Sequence, residues 1–471
     1  MMRPLHALAK VATPGHRAVD DLQTPVAMVH GMEPTTHTTE SGRTPLYLRP
    51  YGPSEVGRPH RRPVRCLAAV TATVLLLASC GSDDAADPAA EAAAGTTVSE
   101  TVDTAADDTT APTEVATTVE AAPETTAETE AACPPAVPNE TPQAAGTVAS
   151  FDRAAFEISE GVAVDKSGNI YVSFAPLGQI VRLAPGSSEY EVFAQVPDWD
   201  LAPEDYKPIA LPDGTERHYG ILGLALDADG NIYAAVDTPN QAGVWKFDCR
   251  TGEGTRFDGT ETMGFANGLA FDDEGNLYAT DSYSGMEGDV PLAAIWKITP
   301  DGVAEKWLEN TTLGGPNQFN LAKPVGANGI AYRDGQLYVS ILERTSVWTV
   351  PVLDDGNPGE MAPYAESDIA FVADGLAFIP DGLALDDEGR VYVTDFVTNG
   401  IVRVEPGGAI VPVAGGVEQG FDTPASMAFG IGATELTMYA VNLADQRFVP
   451  DGKPGPALVA FDVDTPGMPL P

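Results

Sequence analysis

The sequence predicts an all-β protein whose folded part is a six-bladed β-propeller. Three observations carry this. A glycine-led strand–turn–strand unit recurs six times, further strands follow several copies, and no helical period runs through the region. The unit reads glycine, apolar, Ala, apolar, usually Asp, then a Gly-containing turn, then apolar-Tyr-apolar.

The copies are "EGVAVDKSGNIYVSF", "LGLALDADGNIYAAV", "NGLAFDDEGNLYATD", "NGIAYRDGQLYVSI", "DGLALDDEGRVYVTD" and the degenerate "ASMAFGIGATELTMYAVN". Their tyrosines are Tyr171, Tyr233, Tyr278, Tyr338, Tyr392 and Tyr439, spaced 45 to 62 residues apart. Third strands follow as "GQIVRLAPG", "AGVWKFDC", "AAIWKITPDG" and "GIVRVEPGG", and fourth strands as "YEVFAQV" and "AEKWLEN". Four antiparallel strands per repeat make a propeller blade. A β-helix needs shorter periods, and an immunoglobulin sandwich does not repeat in this way. The closing "PALVAFDVDTPG" reads as one more strand, completing a blade with the region around residues 147–156. The "DEGN" and "DADGN" turns look like calcium loops but lack the later ligands of one. A hairpin turn with Gly at its positive-φ position accounts for them.

The propeller is expected over residues 141–471, after three other segments. Residues 1–55 fit no signal pattern and are expected to lie ahead of the true start, for example at Val56. Residues 56–80 carry Arg61, Arg62 and Arg65, then an apolar run of signal-peptide length ending "LASC" before "GS". This resembles the bacterial lipobox, which implies lipidation at Cys80 and anchoring outside the cell membrane. Residues 81–140 hold 14 Asp/Glu and no Lys or Arg, among mostly Ala, Thr, Pro, Val and Ser. Such a stretch lacks the apolar bulk to offset its ordering entropy and is expected to be a disordered tether. Export leaves Cys133 and Cys249 in an oxidising compartment, where a disulfide between them is the economical expectation and two free thiols the alternative.

Residues 141–471 contain 17 Lys/Arg and 49 Asp/Glu, a net charge of −32. Nucleic acid is excluded as a partner, since phosphate contact needs a basic surface. The acidity serves solubility, and the field it creates also draws cations.

Aligning the repeats on the opening glycine brings up a column of preceding residues: Glu160, Leu222, Asn267, Asn328, Asp381 and Ala425, with Ser426 in the glycine's place in the last copy. First strands line a propeller's channel, so these residues form a ring around its axis. A single Asn-Gly or Asp-Gly is ordinary turn punctuation. Four side-chain oxygens in one column, including a Glu that no turn requires, point to a metal instead. Two carboxylates and two carboxamides suit a hard divalent cation, best calcium. The absence of Cys and His from the column argues against zinc and copper.

With "SEGVAVD", "ANGLAFD", "ANGIAY" and "PDGLALD" in this order, residues from about 150 to 471 resemble the gluconolactonase/regucalcin (senescence marker protein) family of six-bladed propellers. "TPASMAFG…LTMYAVN" is similar to that family's last blade, while Val162 departs from the Pro usual after "EG". The resemblance implies calcium held by Glu160, Asn267, Asn328 and Asp381, a small lactone or ester hydrolysed beside it, and Asp381 doubling as base or nucleophile. His218, the only histidine after Cys80, is the one imidazole available as a further catalytic group. Asp281 and Asp395 end second strands on the same face and read as structural caps. The alternative is a non-enzymatic propeller of the NHL type, with a structural calcium and a ligand or protein partner.

Overall fold

The computed structural model describes Cys133 and residues 139–206, 218–318, 323–366, 378–396, 398–405, 409–444 and 454–470. Residues 1–55, the signal segment with Cys80 and nearly all of the acidic stretch lie outside the described residues.

The described chain forms six four-stranded antiparallel sheets. β1 (Gly146–Ser150) precedes blade 1, which is β2 (Ser159–Val164), β3 (Ile170–Phe174), β4 (Gln179–Leu183) and β5 (Tyr190–Gln195). Blade 2 is β6 (Gly220–Leu226), β7 (Ile232–Asp237), β8 (Gly243–Phe247) and the short β9 (Gly254–Arg256). Blade 3 is β10 (Ala266–Phe271), β11 (Leu277–Glu287), β12 (Val290–Ile298) and β13 (Ala304–Asn310). Blade 4 is β14 (Ala327–Arg333), β15 (Gln336–Ile341), β16 (Ser346–Pro351) and β17 (Ala362–Glu366). Blade 5 is β18 (Pro380–Leu385), β19 (Val391–Asp395), β20 (Gly400–Val404) and β21 (Ile410–Gly415). Blade 6 is β22 (Pro424–Phe429), β23 (Thr437–Asn442) and β24 (Ala457–Asp462), with β1 as its outer strand. Blade 6 therefore joins both ends of the domain. Each first strand packs against the first strands of the two neighbouring blades, which closes the circle.

The core lies between blades. Val162, Val172 and Val181 of blade 1 pack with Tyr439, Val441 and Leu458 of blade 6. Tyr171 and Ile180, on the opposite face, pack with Ile221 and Ile232 of blade 2. Alternating residues thus serve two interfaces, as the period of a strand requires.

The turn acids organise the hairpins. Asp165 accepts from the backbone N–H of Ser167 and Asn169 at 2.8 and 2.9 Å, and from Tyr171 Oη at 3.1 Å. Asp227 repeats this with Asp229, Asn231 and Tyr233, and Asp386 accepts from the N–H of Glu388 and Arg390. Gly168, Gly230, Gly275 and Gly389 follow at φ of 80–87°. These acids are held inside their own turns.

Cys133 is disulfide-bonded to Cys249 of blade 2, with Cα atoms 5.8 Å apart. Asn139, assigned to the tether on sequence, is buried; its side chain donates to Thr434 Oγ1 at 3.3 Å in blade 6.

Candidate metal centre and cavity

All six first strands break their pairing at the same place. In blade 3 Ala266 faces Asp281 and Leu269 faces Ala279, so Asn267 and Gly268 together oppose Thr280. The same two-against-one step sets Glu160–Gly161 against Ser173, Leu222–Gly223 against Ala235, Asn328–Gly329 against Ser340 and Asp381–Gly382 against Thr394. Blade 6 carries a shorter irregularity between Pro424 and Ser426. Bulges of this kind re-aim a side chain. Here they turn the residues of the column inward.

The glycine after each of the first five has a packing reason. A Cβ on Gly161 would lie 2.3 Å from the Leu222 carbonyl oxygen, and one on Gly268 would lie 2.4 Å from that of Asn328. Each inner strand approaches the next blade's ring residue more closely than any side chain permits.

A hydroxyl fills the gap left by four of the bulges. Ser173 Oγ accepts from Gly161 N–H at 2.7 Å and donates to the Leu222 carbonyl at 2.9 Å. Thr280 Oγ1 accepts from Gly268 N–H at 2.7 Å and donates to the Asn328 carbonyl at 2.6 Å. Ser340 Oγ and Thr394 Oγ1 donate to the carbonyls of Asp381 and Ala425 at 2.6 and 3.0 Å. The sequence reading missed this belt. Its signal was a Ser or Thr two residues after the repeated tyrosine, in four copies of six.

The four oxygen-bearing residues face one space. Glu160, Asn267, Asn328 and Asp381 all line the cavity above the ring, the first three also line the channel below it, and each of the four is 4–8% exposed. The channel is lined further by Val162, Leu224, Leu269, Ile330, Leu383 and Met427, with Ser426 and the glycines of the bulges between them. Asn267 Nδ2 donates to Ser282 Oγ at 3.2 Å, which leaves its carboxamide oxygen for the cavity. Asn328 hydrogen-bonds the Asp381 carboxylate.

Burial pushes the Glu160 carboxyl well above the usual range, and the nearby Asp381 charge adds to this. Burial pushes Asp381 up to about 7, against the opposing effect of the Asn328 hydrogen bond. Among the described residues neither carboxylate forms an ion pair. Two buried acids without an ion-pair partner are costly when ionised. A divalent cation would neutralise both, and two carboxamide oxygens would complete an all-oxygen set, so the residues fit calcium. Among the described residues no group of three or more His, Cys, Asp or Glu is poised for a metal; this ring depends on its two asparagines.

Above the ring the wall is built by residues from between the blades and from strand ends: Tyr206, Tyr219, Phe265, Val325, Leu342, Phe396 and Leu443, with Leu222 of the ring. Tyr219 stacks on Phe265 at 4.2 Å with planes 9° apart. His218 is outside this lining; its Nδ1 is 3.2 Å from Asp237 Oδ1. Asp237 also accepts from the Tyr219 N–H at 2.9 Å and from Lys323 Nζ at 3.0 Å. Asp281 accepts from the N–H of Phe265 at 2.8 Å and Gly264 at 3.1 Å, and Asp395 accepts from that of Ile379 at 2.8 Å. Both cap the segments entering the first strands.

No family model matches the chain, and no curated sequence matches it. Similar solved structures include regucalcin from Agrobacterium tumefaciens strain C58, described as a calcium-binding protein, at 17% identity and a TM-score of 0.49 over 70% of this chain and 97% of that one. A luciferin-regenerating enzyme is similar at 15% identity and 0.47, over 69% and 95%. A protein described as a putative gluconolactonase is similar at 14% identity and 0.47, over 70% and 96%. The six-bladed architecture of this chain is read from its own six sheets.

Proposed function

We propose that the propeller is a calcium-dependent hydrolase of the lactone or ester type. The observation that carries this is the ring itself: two unpaired buried carboxylates and two carboxamides at the floor of a cavity large enough to have walls of its own. Glu160, Asn267, Asn328 and Asp381 would hold the cation. When bound, calcium supplies Lewis-acid polarisation of a carbonyl oxygen. Asp381 would take the proton of an attacking water, with the Asn328 hydrogen bond holding its carboxylate. The apolar wall excludes bulk water from the reacting carbonyl. His218, oriented by Asp237, stands as a candidate proton carrier at the edge of blade 2.

The proposal includes the site's address. Cys80 would carry the lipid and hold the propeller on the outer face of a bacterial membrane, with the acidic stretch as tether. Mass spectrometry of the cellular protein showing residues 1–50, or a Cys80 without lipid, would remove that part.

The test of activity uses the exported chain with and without chelator against lactones and aryl esters. Turnover that chelation abolishes and calcium restores is expected. Calcium binding with no turnover of any ester or lactone would leave a calcium-locked binding propeller, which the enclosed apolar wall also suits.

A further inference from the structure

We infer that the occupant of the upper cavity is an apolar lactone or ester, carrying an alkyl or aryl group, and not a polyhydroxylated sugar lactone. The inference rests on the hydrolase reading for the carbonyl and on the cavity wall for the rest of the molecule.

The wall has one chemical character. Leu222, Phe265, Val325, Leu342, Phe396 and Leu443 present carbon, and all are buried. The ring supplies the four polar side chains at the floor, and among the described lining residues the hydroxyls of Tyr206 and Tyr219 are the only other side-chain polar groups. No Lys, Arg, His, Ser, Thr or Gln appears among those lining residues. Lys323, two residues from Val325, is turned to Asp237 and to the Gly264 carbonyl at 3.0 and 3.1 Å.

A sugar lactone brings a hydroxyl on nearly every carbon. With the ring oxygens engaged by the cation, most of those hydroxyls would meet carbon and lose their water without replacement. Each such loss costs about tenfold or more in affinity. An alkyl chain meets the same surface with gain, up to about fourfold for each methylene buried. The stacked Tyr219–Phe265 pair adds aromatic carbon to this wall, with Lys323 Nζ 5.8 Å from the Phe265 ring centroid. Leu222 sharpens the point: the blade 2 ring position, which could have held another oxygen, is part of this apolar wall.

The experiment measures kcat/KM of the calcium-loaded exported chain on δ-valerolactone, δ-decalactone and glucono-δ-lactone. We expect δ-decalactone to exceed δ-valerolactone by about tenfold or more, and glucono-δ-lactone to be the poorest. Glucono-δ-lactone equal to or better than δ-decalactone overturns the inference. Leu342→Gln should cut the δ-decalactone preference; an unchanged preference in a folded variant also counts against it. If nothing is turned over, the hydrolase reading fails separately, and calorimetry decides the occupant. δ-Valerolactam bearing a pentyl chain should bind more tightly than δ-valerolactam itself. Equal binding, or none for either, overturns the inference.

Discussion

Blades 1, 3, 4 and 5 differ from blades 2 and 6 in two ways that go together. The four carry an oxygen at the ring and a hydroxyl opposite the bulge: Glu160 with Ser173, Asn267 with Thr280, Asn328 with Ser340, Asp381 with Thr394. Blade 2 carries carbon at both, Leu222 with Ala235; blade 6 carries Ala425 at the ring, and its Val441, two residues after the tyrosine, pairs with Ser426. Yet all six strands share a break in register at this level. The break is therefore a property of the fold, and the hydroxyl a property of the blades that present an oxygen. Each hydroxyl fixes both its own blade's glycine and the next blade's ring carbonyl, so ligand placement is shared between neighbours.

The comparison breaks most sharply at the ring. Asp381→Asn should weaken calcium binding by about 100-fold, the loss of one charged ligand of two, measured by calorimetry, and Glu160→Gln should do likewise. Leu222→Asn in the same titration should not weaken binding. If both carboxylate variants bind calcium as the wild type does, the ring assignment is wrong.

Gly268→Ala should destabilise the fold by about 3 kcal/mol, because the new methyl must displace a backbone carbonyl. Urea denaturation measures it. Thr280→Val should cost about 1–2 kcal/mol and lower calcium affinity severalfold, since Gly268 and Asn328 both lose their partner. Ala235→Ser, which adds a hydroxyl where no ring oxygen stands, should change either quantity by less than about 0.5 kcal/mol. A calcium effect as large as that of Thr280→Val would sink the pairing of hydroxyl with ligand.

The pH dependence sharpens the same contrast. Asp381 has a folded value near 7, above the range of an unfolded carboxylate. Between those values the folded state holds a proton that the unfolded state has lost, so metal-free stability falls as pH rises from about 4 to about 7. Asp381→Asn should flatten that fall, and calcium should reverse it at neutral pH. Thermal melts in chelator across this window measure it. A metal-free wild type that gains stability over the window relative to Asp381→Asn contradicts the buried-acid account.

The blades were legible because each one repeats glycine, turn and tyrosine in the same phase. The ring was legible only as a column; Asn267 alone is a turn residue. The hydroxyl belt was not read, because Ser and Thr are ordinary strand residues and nothing local marks one as spanning two blades. The cavity wall was less legible still. Tyr206 and Phe265 come from connections ahead of the strands, while Leu342, Phe396 and Leu443 share a phase, four residues after the repeated tyrosines, that the column of ring residues did not bring into view. The turn acids were readable as turns, while their grip on the tyrosine hydroxyl appears only when the hairpin is folded.

The pairing of β1 with β24 sets an order of events on the ribosome and after it. The strand made first must wait for the strand made last, and Phe151 N–H finds its acceptor only at Pro456. Until then blade 6 lacks its outer strand and the circle is open. Contacts this distant along the chain slow folding, and the waiting edge is open to pairing with another chain. Closure of the domain therefore waits on its last strand. It also reports on its own integrity, because loss of β24 leaves β1 without its partner at the opposite end of the domain.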